Sequence, residues 1–311
     1  MKGGDPKIYE VIIIGGGPAG MTAGLYTTRS RLHTLLIESG IFGGQMPTTD
    51  LIENYPGFPQ GVTGYELTRL MEEQAKRFGL ETVNQETVEV RLDRDLKVVK
   101  TYESEYLCKA LIICTGTEYR KLGVPGEKEL TGKGVSFCST CDGAFFQDRH
   151  VVVVGGGDSA LTEALFLTKF VKELTLIHRR DALRATKIYQ ERAQSHPKIK
   201  FLWNSVVQEI KGDKEVRSIL VKNVKTGEVK ELETDGAFIF VGISPKTEFL
   251  KGLIQMDEAG YIFTNTNCET SVKGVFAAGD CRKQLLRQIT TAVGDGSTAA
   301  FAVEKYLEGK E

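Results

Sequence analysis

The chain has 311 residues, 41% hydrophobic and 26% charged, with a formal net charge of −1. That length fits two domains of ordinary globular composition, and the near-neutral balance excludes the basic field that holds nucleic acid. No apolar run approaches the ~20 residues needed to span a bilayer, the first residues lack a signal peptide's apolar core and cleavage site, and six cysteines are too few for a secreted disulfide scaffold, so a cytoplasmic location without membrane is expected.

The first recognisable unit is YEVIIIGGGPAGMTAGLYTTRSRLHTLLIE, residues 9–38. Its continuous β-branched run reads as a strand covered on both faces. A glycine turn, a helix and a second strand follow. The turn is Gly15-x-Gly17-x-x-Gly20. In such a turn the first glycine permits the bend and the second lets a pyrophosphate approach the backbone. The third position must be small so that helix and strand can pack. The helix start then offers free N–H groups to phosphate. Glu38 ends the second strand, where a carboxylate accepts a hydrogen bond from a ribose 2′-hydroxyl.

Next come GIFGGQMPTTD, which carries Gly44 and Gln45 but no cysteine, and ENYPGF with Asn54. ALIICTGTEYRKLGVPGE, residues 110–127, reads as a strand, then Thr115-Gly116, then a Pro/Gly-rich link. GVSFCSTCDGAFF, residues 134–146, holds Cys138, Cys141 and Asp142. A C-x-x-C can be a disulfide staple, half a zinc site or a redox pair. In a reducing cytosol metal binding or catalysis is favoured over a staple.

RHVVVVGGGDSALTEALFLTKFVKELTLIH, residues 149–178, repeats the first unit without a gap at an offset of 140. Its turn reads Gly155-x-Gly157-x-x-Ala160, and His178, Arg179 and Arg180 stand where the first copy has Glu38. Arginines bind a 2′-phosphate through charge-assisted hydrogen bonds. The first copy therefore suits an adenosine diphosphate with a free ribose, and the second suits NADPH. With NADPH in one site, the other is expected to hold a flavin, which accepts a hydride and passes electrons on.

GAFIFVGISPKTEFL, residues 236–250, is a strand followed by Gly242 and Pro245. The two links bracket the second copy. The fold class expected is α/β, with two Rossmann-like dinucleotide-binding domains, one inserted in the other: 119–245 within 1–118 and 246–311. Paired links make a natural hinge. VFAAGDCR then ends a strand at Gly279-Asp280, and LLRQITTAVGDGSTAAFAVEKYL reads as a helix whose start carries Arg287, Gln288 and Ile289. A helix N-terminus there would stabilise negative charge on a reduced ring.

With GGGPAG, GGQ, ENYPGF, CTGTEYR, CSTCDG, GGGDSA, HRRDALRA, AAGDCR and RQITTAVGDGSTAA in place, the chain resembles end to end the low-molecular-weight thioredoxin reductases of bacteria and archaea. The resemblance implies FAD in the outer domain, NADPH in the inserted one, and a homodimer. It implies a hydride passed from NADPH to FAD, then electrons to a C-x-x-C disulfide, then to thioredoxin or a glutaredoxin-like protein. Carried over, Gly15, Gly17 and Gly20 would hold the FAD pyrophosphate and Glu38 its ribose. Gly44, Gln45 and Asn54 would lie near the flavin. Asp280 would contact the ribityl chain, with Gly116 and Gly279 at the strand ends beside it and Arg287, Gln288 and Ile289 at the ring. Gly155, Gly157, His178, Arg179, Arg180 and Arg184 would bind NADPH. Cys114 stands where the family usually has alanine.

Related chemistries fit less well. The glutathione reductase type has its cysteine pair beside the first glycine turn and a long C-terminal domain. The flavin subunit of alkyl hydroperoxide reductase has a long thioredoxin-like N-terminal extension. Small ferredoxin–NADP reductases lack C-x-x-C. A zinc module needs four ligands, but the histidines stand at no ligand spacing and Cys268 and Cys281 are isolated. Cys108 and Cys114 are expected in the core.

The pair Cys138–Cys141 and the nicotinamide site share the inserted domain, so that domain is expected to swing about Thr117–Arg120 and Gly242–Pro245. By resemblance Cys141 lies nearer the flavin, and Asp142 is the candidate acid/base for dithiol exchange.

Overall fold

A computed structural model of the chain describes residues 7–92 and 95–309. The expected outer-domain residues 1–6, 93–94 and 310–311 lie outside the described residues. The chain divides into two compact units: Met1–Glu118 with Ser244–Glu311, and Tyr119–Ile243.

The first unit is built on a seven-stranded sheet. Its spatial order is Glu81–Asn84, Thr34–Glu38, Ile8–Ile14, Glu105–Ile113, Lys97–Thr101 and Thr87–Leu92. The seventh strand, Val275–Ala277, runs parallel along the second half of Glu105–Ile113. The strands from Glu81–Asn84 to Glu105–Ile113 are mutually parallel, and the last two are antiparallel.

Ile8–Ile14 shows why this sequence makes a central strand. Val11 and Ile13 face a core built with Ala19, Ala23, Ala299 and Val303. Ile12 and Ile14 face the opposite core, with Leu250 and Ile262. Period-2 geometry thus buries a continuous apolar run on two sides, each fully buried Val or Ile contributing roughly 1.5–3 kcal/mol.

The helix Pro18–Arg29 begins with proline in its first turn, where a missing N–H costs nothing. It packs on the C-terminal helix Ile289–Leu307 through small residues. A Cβ on Gly296 would lie 2.3 Å from the Ala19 carbonyl oxygen. The C-terminal helix starts later than its apolar pattern suggested, because a capping box stops it. The Gln288 side chain accepts from the backbone of Thr291, whose hydroxyl accepts from Gln288 N. Leu285–Gln288 therefore form a loop ahead of the helix.

The second unit repeats the plan. Its five-stranded sheet has the order Ile199–Leu202, Glu173–Ile177, His150–Gly155, Gly236–Phe240 and Val135–Ser136, all parallel. Helices Asp158–Leu167 and Lys187–Gln194 cover one face through Leu161, Ala164, Leu167 and Ala193. A three-stranded antiparallel sheet covers the other through Val207, Ile210, Ile219 and Val221. The four-strand order around the glycine turn is the same in both units, so both copies of the repeat fold as βαβ. The links Thr117–Tyr119 and Ile243–Pro245 pair as a short two-stranded sheet.

Candidate active site

In the first unit the three turn glycines have different reasons to be glycine. Gly15 has φ +105°, and a Cβ there would lie 2.3 Å from the Cys114 carbonyl oxygen. A Cβ on Gly20 would lie 1.9 Å from the Gly15 carbonyl oxygen. Both positions are set by the protein's own backbone. At Gly17 the nearest atom to an added Cβ is Gly44 Cα, 4.0 Å away. Nothing in the chain demands glycine there, and the space fits close approach by a ligand. Gly44 faces it in the left-handed region at φ +61°.

Glu38 closes the turn. Its Oε2 accepts from Gly16 N at 2.6 Å and its Oε1 from Gly40 N at 2.9 Å. Gln45 Nε2 donates to the carbonyl and hydroxyl oxygens of Thr117 at 2.7 and 3.0 Å. Asn54 Nδ2 donates to Gln288 Oε1 at 2.9 Å, joining residues far apart in the chain. Gly116 has φ +63° and open space on its Cβ side.

Asp280 is the most telling side chain of this unit. Its Oδ1 is buried without a hydrogen-bond partner, and burial pushes its carboxyl up to about 6. An unpaired buried oxygen is costly unless something absent from the chain satisfies it. Arg287 Nε donates to the Asp280 carbonyl oxygen at 3.3 Å, and its guanidinium lies 4.1 Å from the centre of the Tyr261 ring. Tyr261 carried no signal in the sequence. The open face of Gly17, the anchored carboxylate of Glu38 and the unpartnered Asp280 oxygen together fit an adenine dinucleotide with a polyol chain.

In the second unit, a Cβ on Gly155 would lie 2.4 Å from the Phe240 carbonyl oxygen, whereas one on Gly157 would meet nothing within 4 Å. The same division of labour therefore recurs. His178 is buried beneath the turn. A Cβ on Gly156 would lie 2.3 Å from its Nδ1, and its Nε2 lies 3.1 Å from the Ala182 carbonyl oxygen. Burial lowers its pKa, which makes it a neutral support under Gly156.

The loop after His178 is fastened by its backbone. Arg184 N donates to Gly156 O at 2.8 Å, Asn204 N to Arg180 O at 3.2 Å, and Thr186 N to Asp158 Oδ1 at 2.7 Å. Arg179, Arg180 and Arg184 are exposed, and their guanidinium groups have no hydrogen-bond or ion-pair partner among the described residues. Three free cations beside a glycine turn suit a phosphate. This stretch is a loop, and the helix starts only at Lys187.

Cys138 and Cys141 are joined as a disulfide, which fits a redox pair and leaves neither sulfur free as a zinc ligand. Cys141 is exposed and Cys138 half-buried. The four-residue helix Ser139–Asp142 carries the pair, with Cys141 N donating to Cys138 Sγ at 3.2 Å. Ser139 N donates to Glu163 Oε2 at 3.1 Å. Glu163 lies on the helix that leaves the Gly157 turn, and its place beside the pair could not be read from the chain.

The other four thiols are buried. Burial pushes Cys108 up to about 12, and Cys268 and Cys281 to about 11. Cys114 is raised by burial and then by its neighbours Cys281 and Cys268. Cys268 and Cys281 stand at no ligand spacing in the sequence, and among the described residues no group of three or more His, Cys, Asp or Glu could hold a metal ion. The fold gathers three cysteines around the end of the strand Glu105–Ile113, though none has thiolate character.

The chain belongs to the pyridine nucleotide-disulphide oxidoreductase family, which matches residues 9–296. Within it the chain is of the low-molecular-weight thioredoxin reductase type, whose members use FAD and NADPH. A thioredoxin reductase of Bacillus subtilis is 52% identical over 305 residues, covering 98% of this chain and 96% of the relative. The solved thioredoxin reductase of Lactococcus lactis, in its FR conformation, is 49% identical with a TM-score of 0.95, covering 97% of this chain and 99% of that one. That of Streptococcus pyogenes has the same 49% identity and the same coverage but a TM-score of 0.65. Among the described residues no helix is long and apolar enough to cross a membrane.

Proposed function

We propose that the enzyme moves electrons from NADPH through FAD to the Cys138–Cys141 disulfide and on to a protein disulfide. Thioredoxin is the natural partner, and a glutaredoxin-like protein is an alternative. The observation that carries this reading is the contrast among the cysteines. One pair is joined and reaches the surface, while four thiols are buried and held protonated. When bound, the two cofactors supply the hydride relay that reduces the pair.

The chain's own residues divide the remaining work. Gly15, Gly17, Gly20 and Glu38 would cradle the FAD diphosphate and ribose. Asp280, with Gly116 and Gly279, would take the ribityl chain, and Gly44, Gln45, Asn54, Arg287, Gln288 and Ile289 would border the ring. Gly155 and Gly157 would cradle the NADPH pyrophosphate, and Arg179, Arg180 and Arg184 would gather the 2′-phosphate while His178 supports the turn. One thiolate of the reduced pair attacks the partner's disulfide and forms a mixed disulfide. The second thiolate displaces it, restoring Cys138–Cys141 and releasing a dithiol. Asp142, whose carboxylate follows Cys141 directly, would carry the proton that exchange requires.

With the nicotinamide read into the unit that carries the dithiol and the flavin into the other, the inserted unit, 119–245, is proposed to turn about the two links. The buried free thiols suit the reducing cytoplasm. A homodimer is the proposed assembly.

Single variants Cys138→Ser, Cys141→Ser and Asp142→Asn, followed through both half-reactions, test the proposal. Flavin reduction by NADPH should survive in all three, while reduction of a protein disulfide is abolished in the serine variants and slowed in Asp142→Asn. Thioredoxin turnover at the unaltered rate in either serine variant would overturn it.

A further inference from the structure

Asp295 belongs to no expected site, yet it stands as a lone charge in the small-residue stretch TTAVGDGSTAA. It projects from the C-terminal helix onto the loop that carries Asp280. Its Oδ2 accepts from Gly279 N at 3.1 Å and its Oδ1 from Arg282 Nη1 at 2.7 Å. The ion pair is well shielded, with side-chain exposures of 13% and 16%. Arg282 Nη1 also reaches Cys268 Sγ at 3.0 Å.

The peptide of Gly279 is gripped on its other side too. Its carbonyl oxygen accepts from Arg282 N and from Gln284 Nε2, both at 3.2 Å. Only glycine fits at this point, because residue 279 sits at φ +78° with Ala19 Cβ 2.9 Å from where a Cβ would be. One residue further on is the buried, unpartnered Oδ1 of Asp280. An unsatisfied carboxylate would swing toward water unless its backbone were held. The groups holding it are Asp295, Arg282 and Gln284.

We infer that Asp295 is a positioning residue for the flavin cofactor: paired with Arg282, it clasps the Gly279–Asp280 loop so that the Asp280 carboxylate is ready for FAD. The inference rests on the reading of this unit as the FAD site. A shielded ion pair is poor evidence for stability as such, since an apolar pair of similar volume often serves as well. Holding a loop in one conformation is a use that survives that objection.

The test compares Asp295→Asn, Asp295→Leu and the double variant Arg282→Met/Asp295→Leu. The double variant removes the uncompensated buried arginine that the single leucine leaves behind. FAD release is followed by the rise in flavin fluorescence, and thermal unfolding is recorded for FAD-free and FAD-loaded protein. The double variant should unfold, without FAD, at the wild-type temperature yet release FAD at least about tenfold faster, the worth of one charge-assisted hydrogen bond. Asp295→Asn, which keeps one acceptor, should fall between. If the double variant holds FAD as tightly as wild type, the clasp is overturned and the flavin site stands. If wild-type protein takes up no FAD on reconstitution, the flavin site itself is wrong and the clasp falls with it.

Discussion

Ser139 N donates to Glu163 Oε2 across 3.1 Å, so the residue beside Cys138 hangs from the helix that begins at the second glycine turn. The same carboxylate helps to keep the Tyr119 phenol protonated, after burial, which pushes that group up to about 12. Glu163 thus holds the redox loop directly and adds negative charge near Tyr119. Glu163→Leu should lower protein disulfide reduction by about 10–10²-fold, the loss of one charge-assisted hydrogen bond. Glu163→Gln retains an acceptor and should lose less than about tenfold. Stopped-flow reduction of the flavin by NADPH should be unchanged in both. A parallel fall in that rate would show that the helix, and not the loop, depends on Glu163.

Gly17 and Gly20 lie three residues apart and should fail in opposite ways. Gly20→Ala drives a Cβ to 1.9 Å from the Gly15 carbonyl oxygen and should lower stability with or without cofactor. Gly17→Ala has no such clash, and its φ of −73° suits alanine. Its FAD-free form should unfold at the wild-type temperature while FAD retention is lost. Thermal unfolding of both variants, with flavin content measured alongside, checks the pair. Normal flavin content in Gly17→Ala would remove the pyrophosphate from that position.

Arg179 and Arg180 carry free guanidinium groups. Two charge-assisted contacts to a 2′-phosphate are worth about 10²–10³-fold in affinity. Replacing both by alanine should raise KM for NADPH by that factor and leave KM for NADH nearly unchanged. Trp203, the only tryptophan, lies edge-on to His178 with ring centres 6.3 Å apart. Its fluorescence gives a binding signal independent of turnover. Equal effects on the two nucleotides would place phosphate recognition elsewhere.

Asp280 adds a pH dependence to cofactor binding. Its folded-state pKa of about 6 lies above the usual carboxylate value. Between about pH 4 and 6 the FAD-free fold therefore binds more protons than the unfolded chain, and this group's contribution to stability falls as pH rises through that window. A ligand hydroxyl donating to Oδ1 favours the carboxylate, so FAD uptake should expel a proton there. Affinity for FAD should weaken as pH drops below about 6, by up to roughly tenfold per unit. Asp280→Asn should bind FAD more weakly and without that slope. The same slope in Asp280→Asn would assign the proton to another group.

The fold was legible because both βαβ units obey strong local rules. Two runs of β-branched residues, each ending in glycines, leave little alternative to a buried strand and a phosphate turn. Boundaries decided by side-chain hydrogen bonds were less legible. The Gln288–Thr291 capping box delays the C-terminal helix, and the bonds fastening Arg180 and Arg184 keep the arginine segment a loop. Glu163, Asp295 and Tyr261 act across long sequence separations, and no local pattern announces such contacts. His178 shows the converse: its register with Glu38 marked it as a residue of the nucleotide turn, and the packing adds that its imidazole is buried beneath Gly156. Cys268 and Cys281 share no spacing rule with Cys114, so their convergence depends on the strand Val275–Ala277 lying beside Glu105–Ile113.

The central claim is that a flavin and the Cys138–Cys141 disulfide form one electron-accepting unit. Anaerobic titration of the FAD-loaded protein with NADPH, read from the flavin absorbance, tests it most directly. A flavin coupled to a disulfide takes up two electrons beyond those of FAD itself, so each chain should consume two equivalents of NADPH before the spectrum stops changing. Completion at one equivalent, with Cys138 and Cys141 still unreactive toward a thiol reagent, would contradict the account.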